Sequence, residues 1–310
     1  MSRGDLTNAE WDRLESFSPP GGARGGRWSG HRRVINGVLH RVRTGVQWRD
    51  LPEGFGPRET VCKRHRRWSA DGTWQMPLSR IPAAEDAAGA IDRDVSVDST
   101  AVRARRHAVG ARKAAPAAVP QKGAERGTNQ VDPVLRKLAV RLEAVVRPGE
   151  CPGRSRGGFT TKIHLVAEGR CRPLAFALAP GHYGDGPRLE RVLEQVSVPR
   201  TGAGRPRTRP DHVLADKAHT SRKNRHYLRR RGIRHTIPER LDQQRHRKNR
   251  GSRGGRPTGF DSERHKKRNT VERAVNRLKG FRAVATRYEK RAYIYLGTVT
   301  LAALTIWLRT

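Results

Sequence analysis

The sequence predicts an α/β protein with a helical module at its N-terminus. Three observations predict it. Apolar residues recur at helical spacing through about residues 5–75. From Arg93 short apolar runs of strand length alternate with helical stretches, and from His265 onward the chain again reads as helical. The divisions this implies are a helical module at 1–78, a linker rich in Ala and Pro at 79–92, and an α/β domain at 93–310. No internal repeat interrupts that order.

Taken in turn, Thr7 suits the cap of a helix that carries Trp11, Leu14 and Phe17 on one side. A second helix runs from about His31 to Val42, with Val34, Val38 and Leu39 at core spacing. The stretch Trp48-Arg49-Asp50-Leu51-Pro52 interrupts it. Pro57 suits the first turn of a third helix that ends near Trp68. Three short helices with a tight turn are compatible with a helix-turn-helix module, whose third helix offers Lys63, Arg64 and Arg67 as DNA contacts. The same helix is equally well described as a solvated basic face.

In the second region, Arg93 to Thr100 reads as a short strand, with Val95 and Val97 on one face and Ser96 and Asp98 on the other. Residues 113 to 131 are loop-like, and Leu135 to Val146 mark an amphipathic helix. Phe159 to Val166 and Leu174 to Leu178 are strands, and Pro187 to Val196 is a helix. His212 to Asp216 is an apolar strand ending in a carboxylate. Ser221 caps a very basic helix to Arg231, and Ile233 to Ile237 is a further strand. The polar, basic, Gly-rich stretch 241 to 263 reads as a mobile loop. The C-terminal helical stretch should break near Gly297.

Charge narrows the function. Of 310 residues, 65 are Lys or Arg against 29 Asp or Glu, a formal net charge of +36. The basic residues run along most of the chain, so the surface would repel itself unless an acidic partner neutralised it. Nucleic acid fits, because each cation that meets a phosphate releases a bound counterion. Cys62, Cys151 and Cys171 have no metal-ligand or disulfide spacing and read as free thiols. The apolar segment Gly297 to Leu308 is too short to span a bilayer, and no signal peptide is evident, so the expectation is a cytoplasmic protein with no membrane partner. The Gly-rich stretches lack the Lys-Ser/Thr ending of a phosphate-binding loop, which argues against a nucleotide cofactor.

Acids are scarce, so their placement is informative. Asp98 and Asp216 each end an apolar strand, and Glu272 lies in the first turns of the C-terminal helical stretch. Two strand-end aspartates and a helix-borne glutamate could converge at the carboxyl edge of a sheet. Held together, they repel unless a cation lies between them, and hard oxygen donors favour Mg²⁺ or Mn²⁺. A pair of such ions meets the needs of phosphodiester chemistry. Singly, each residue has a plainer explanation: a turn, a cap, or half of an ion pair. Asp185 is a further carboxylate with a turn-forming role as the simpler reading, and His164 and His219 read as structural.

The surroundings of these acids decide between the two. They are Val95-Ser96-Val97-Asp98-Ser99-Thr100 with His107 to Lys113; Gly153 to Leu165, containing Gly157-Gly158-Phe159-Thr160-Thr161-Lys162-Ile163-His164; Leu214-Ala215-Asp216-Lys217-Ala218; and Arg268-Asn269-Thr270-Val271-Glu272-Arg273 with Asn276-Arg277-Leu278-Lys279. With the leader Trp48-Arg49-Asp50-Leu51-Pro52, these motifs resemble, in order and over nearly the whole chain, the DDE transposases of bacterial insertion sequences, specifically the insertion-sequence-five group. The resemblance implies a ribonuclease-H-like catalytic core, with Asp98, Asp216 and Glu272 as catalytic metal ligands for Mg²⁺, two ions, replaceable by Mn²⁺. It implies cleavage at the element's terminal inverted repeats, transfer of 3′ ends to target DNA, a homodimer on the paired ends, and a bacterial, nucleoid-associated location. It also implies a helix signature of Tyr, Arg, Glu and Lys. Arg268, Glu272 and Lys279 fit its spacing and, at roughly 100° per residue, share one helix face. His265 stands at the Tyr position, a departure, and is expected on the same stripe facing the DNA end. About 114–152 stands out as a variable insertion. Two other readings compete: a non-catalytic DNA-binding regulator, which needs no placed carboxylates, and a degenerate inactive transposase copy.

Overall fold

The computed structural model describes residues 4–18, 30–105, 108 and 151–310. The expected helix at 135 to 146, the loop at 113 to 131 and nearly all of the 114–152 insertion lie outside those residues.

Four helices open the chain: α1 (Asn8–Glu15), α2 (His31–Thr44), α3 (Arg58–Ala70) and α4 (Gln75–Ala87). Thr7 caps α1 in a capping box: its hydroxyl accepts from the Glu10 N–H at 3.2 Å, and the Thr7 N–H donates to the Glu10 carboxylate at 2.8 Å. Helix α2 ends at Gly45, whose positive φ of 73° lets it close the last turn. Pro57 caps α3.

The expected linker is mostly helix. α4 runs through Pro77 and Pro82 to Ala87 and buries Met76, Ile81 and Ala83. Alanine favours a helix, and this one has an apolar face to bury, which a linker would lack. That face meets the C-terminal helix α11 (Ala292–Leu308), which also packs on α2 and α3. The helices of the first region therefore share one core with the end of the chain. Nor does α11 break at Gly297. Any Cβ there would collide with the Ser69 hydroxyl, so the glycine permits a close crossing with α3 inside an uninterrupted helix. Among the described residues no helix is long and apolar enough to cross a membrane.

Among the described residues the sheet has seven strands: β1 (Asp94–Ala104), β2 (Gly153–Ser155), β3 (Gly158–Ala167), β4 (Pro173–Pro180), β5 (His212–Ala215), β6 (Arg234–Thr236) and β7 (Thr286–Arg287). β1 is central. On one side it pairs antiparallel with β3, which carries β4 antiparallel on its far edge. On the other it runs parallel to β5, which runs parallel to β6. β1 is longer than its sequence suggested because it keeps pairing with β3 through Arg103 and then meets β7. Helices α5 (Leu189–Glu194) and α6 (Arg222–Arg230) connect β4 to β5 and β5 to β6.

The stretch 241 to 263, expected as a mobile loop, contains α7 (Leu241–Asn249), which buries none of its residues. It has no apolar stripe to betray it. An ion pair between Arg247 and Glu239, Asp242 in its first turn and His246, Arg247 and Lys248 in its last match the helix dipole instead. Beyond it come α8 (Ser262–Lys266), α9 (Asn269–Gly280) and α10 (Arg282–Ala285). The break expected at Gly297 lies earlier, between α10 and α11, where β7 joins the sheet.

Candidate active site

The strand register builds the site. β1 and β5 pair in parallel up to Val97 opposite Ala215, and the next residue on each strand is Asp98 and Asp216. Asp98 is therefore not at a strand end; it lies within β1, at the point where its parallel neighbour stops. There β5 gives way to a single helical turn that Asp216 caps, accepting from the Ala218 N–H at 3.0 Å.

α9 packs on β1 and β3 through Val271, Ala274 and Leu278. Glu272 is thus carried in its first turn with its side chain half exposed. The residue before the helix, Arg268, joins the acids: its guanidinium donates to Asp98 at 3.1 Å and to Glu272. Among the described residues no three His, Cys, Asp or Glu side chains stand close enough together to hold an ion. Asp98 and Glu272 are bridged by an organic cation instead.

The two aspartates have opposite environments. Burial pushes Asp98 above the usual carboxylate range, and neighbouring Asp216 adds to this; the Ser99 N–H and Arg268 offset it only in part. Burial acts the same way on Asp216, but the hydrogen bond and charge of His219, the Ala218 N–H and Arg268 outweigh it and hold the group low. His219 Nδ1 is 2.7 Å from Asp216 Oδ1, and its ring is buried. Asp98 is thus the more buried and less compensated of the two, although Arg268 pairs with it.

Asp185 does not cap the turn that follows it. Its carboxylate accepts from the Ser99 hydroxyl at 2.5 Å and from Lys162 Nζ at 3.0 Å, across the sheet. Burial would raise it, but those two donors and the lysine charge hold it low. His164, beside it at 3.8 Å, is buried and pushed down to about 4 by that burial, against the pull of Asp185.

Other expected residues fall elsewhere. His265 does not continue the stripe of Arg268, Glu272 and Lys279. It belongs to the short helix α8, and a turn of i→i+3 hydrogen bonds through Lys267 and Arg268 separates it from α9. Such a turn is tighter than an α-helix and shifts the helical register. The His265 ring packs 5.2 Å from Phe260 and touches none of the three acids. Lys279 is half-buried in the last turn of α9. In α3, Arg64 is only 9% exposed and lies over the Trp68 ring at 5.8 Å, so it packs on the core, while Lys63, Arg66 and Arg67 are exposed.

Sequence reasoning missed the bridging position of Arg268, the contacts of Ser99 and Lys162 with Asp185, and the buried Asn224, whose amide joins the Gly186 and His219 carbonyls. Ser99 and Lys162 lie inside the quoted motifs, which was the available signal. Asn224, in the first turn of α6, carried none.

Two family models match separate segments of the chain. Residues 6–77 match the family described as "Putative transposase of IS4/5 family", and residues 213–309 match "Transposase DDE domain". The second match contains Asp216 and Glu272, while Asp98 lies between the two. The "Putative transposase for insertion sequence element IS6501" of Brucella ovis is 33% identical over 151 residues, all of that protein and 49% of this chain. "Uncharacterized protein y4sN" of Sinorhizobium fredii is 35% identical over 118 residues, 90% of that protein and 37% of this chain. "Insertion element IS402 uncharacterized 16.2 kDa protein" of Burkholderia cepacia is 32% identical over 112 residues, 76% of that protein and 34% of this chain. No solved structure matches.

Proposed function

We propose a reaction for this chain from the premise that it belongs to the insertion-sequence transposases: it cuts DNA at the ends of its element and joins the freed 3′ ends to target DNA. The strand order β4-β3-β1-β5-β6, antiparallel on one side of β1 and parallel on the other, supports a ribonuclease-H-like core. The insertion-sequence-five group is the branch its motifs favour.

One observation carries the reading. Asp98 and Asp216 stand side by side by register, and Asp98 shares the Arg268 guanidinium with Glu272. The donor set fits a divalent cation: oxygen ligands only, with a cationic side chain already bridging two of the acids. Asp98, Asp216 and Glu272 would hold Mg²⁺ or Mn²⁺, in two ions. Bound there, the ions would activate an attacking oxygen and stabilise the leaving one.

The chain's own residues do the rest. Arg268 neutralises the acids before loading and is then free to turn to a phosphate of the DNA end, with Lys279 further along the same helix. Exposed Lys63 and Arg67 on α3 hold the duplex away from the chemistry. Water attacks the phosphorus at the element end, the P–O3′ bond breaks, and a 3′-hydroxyl and a 5′-phosphate are left. That hydroxyl then attacks a phosphorus of the target strand and displaces its 3′ oxygen. Two element ends call for two copies of the chain.

The test is a DNA fragment bearing the element's terminal repeats, incubated with the protein and Mg²⁺ beside a circular target. Nicked ends and joined products are expected, with end binding that weakens steeply as salt rises. Binding without nicking in either Mg²⁺ or Mn²⁺ would leave a DNA-binding regulator or an inactive copy.

A further inference from the structure

Asp98 and Asp216 are tied to one another through a chain of hydrogen bonds that runs behind them. The Ser99 N–H donates to Asp98 Oδ1 at 2.7 Å, and the Ser99 hydroxyl donates to Asp185 at 2.5 Å. Lys162 pins Asp185 and the Tyr183 carbonyl, each at 3.0 Å, so the loop they belong to is fastened to β3. The next residue of that loop, Gly186, offers its carbonyl to Asn224 Nδ2 at 2.9 Å. The same amide nitrogen donates to the His219 carbonyl at 3.0 Å, and His219 meets Asp216 at 2.7 Å. Asn224 is 3% exposed, and both donors of its amide are used. A Cβ at Gly186 would come 2.7 Å from the Ala218 carbonyl oxygen, so the two loops meet as closely as backbones can.

We propose that Asp185 and Asn224 are positioning residues: through Ser99 and His219 they hold the two strand-borne aspartates at the separation that cation binding requires. The proposal rests on the reading of Asp98, Asp216 and Glu272 as the metal site. Neither residue is assigned to the ion: Asp185 Oδ1 accepts from Ser99 on β1 and Lys162 on β3, and Asn224 spends its amide hydrogens on the Gly186 and His219 carbonyls. Their work is mechanical. The parallel pairing of β1 with β5 stops just before the two aspartates, so beyond it the chain behind them is what ties Asp98 to Asp216. Groups of this kind around a metal site contribute about tenfold or more to affinity.

The experiment is Mn²⁺ binding to the full-length chain without DNA, followed by the electron paramagnetic signal of free Mn²⁺, with thermal melting of each variant beside it. Asp98→Ala is expected to abolish binding. Asp185→Ala, Ser99→Ala and Asn224→Ala are expected to remain folded and bind about tenfold more weakly. Asp185→Asn, whose amide oxygen still accepts from Ser99, should recover most of the affinity. Should Asn224→Ala not fold, Ser99→Ala cuts the same chain at its other end by removing one hydroxyl. Wild-type Mn²⁺ affinity in folded Asp185→Ala and Ser99→Ala would overturn the proposal, leaving these residues a structural role only. Complete loss in both Asp185→Ala and Asp185→Asn would overturn it differently, by making Asp185 a ligand. If Asp98→Ala itself binds Mn²⁺ like the wild type, the metal-site reading fails first and the proposal falls with it.

Discussion

At the helical end of the molecule, one set of buried polar groups forms a neutral, directional chain. The Trp74 indole can only donate, and it reaches His65 Nδ1 at 3.2 Å. His65 Nε2 then donates to the Thr298 hydroxyl at 3.2 Å, which donates to the Ile294 carbonyl at 3.2 Å. At the sheet edge, the polar groups are charged, partly exposed and unevenly compensated: Asp98 is held high, Asp216 low, and one guanidinium serves both Asp98 and Glu272. The first arrangement links α3, the start of α4 and α11 through neutral donors and acceptors that are each used. The second gathers acids around one shared guanidinium at a partly exposed edge, where a ligand can reach them. A substitution in the first region should therefore cost stability, and one in the second should cost function.

The largest effect should come from the second region. Asp98→Ala, Asp216→Ala and Glu272→Ala should each lower strand cleavage by about a thousandfold or more, since a cation at such a site contributes several kcal/mol to the transition state and each 1.36 kcal/mol is a factor of ten. Removing one of several crowded acids should leave the melting temperature nearly unchanged. Near-wild-type cleavage by any one variant strikes that residue from the site; a large loss of stability in all three would erase the contrast between the regions.

Next comes a charge that belongs to the first region. Arg41 of α2 and Glu289, just after β7, form a buried ion pair, and Arg41 also lies over the Trp48 ring at 5.0 Å. Both side chains are 5% exposed. Glu289→Ala strands the guanidinium and should lower the unfolding free energy by about 3 kcal/mol. Cleavage measured well below the new melting temperature should hold. Replacing both partners, Arg41→Met with Glu289→Leu, should recover most of the lost stability, because a buried pair seldom outperforms well-packed apolar side chains. Denaturant titration of the two variants checks it; equal stability of Glu289→Ala and the wild type would show that the pair is not isolated from water.

The two regions were not equally legible in the sequence. The acids of the site stood out because acids are rare in this chain and each of the three ended a strand pattern or opened a helix. Their convergence was expected, but its geometry was not legible, because it is set by the register between β1 and β5, which are remote in sequence; the buried Asn224 had no pattern around it to mark it. In the helical end, the capped and periodic helices α1 to α3 were readable, whereas α4 looked like a linker because Pro and Ala hid the spacing of Met76, Ile81 and Ala83. Gly297 looked like a helix break for want of its neighbour Ser69, and Arg64 looked like a DNA contact for want of Trp68. α7 could not be read at all from periodicity, since it buries no residue. Local signals survive where an element makes its own face or cap, and fail where a distant element supplies the reason.

The smallest effect sharpens the contrast by titration. Burial, with Arg41 nearby, pushes His65 down to about 3 from an ordinary 6.5. Its neutral form is also the one the hydrogen-bond chain requires, because a protonated Nδ1 could no longer accept from Trp74. The unfolded chain therefore binds a proton that the folded chain refuses throughout the window between those two values. Stability from this residue is fully present above about pH 6.5 and is lost progressively as pH falls towards 3. Between pH 6.5 and 5.5 a single such group should remove about 1 kcal/mol of unfolding free energy. His164 and His212, each pushed down to about 4 by burial, add slopes of the same sign. His65→Gln isolates the helical end: it should be less stable than the wild type near neutrality, yet its stability should fall less steeply with acid, by about one proton. The check is unfolding free energy from denaturant melts at several pH values. An unchanged slope in His65→Gln would mean that His65 is already protonated in the folded chain, and the neutral chain from Trp74 to Ile294 would have to be redrawn.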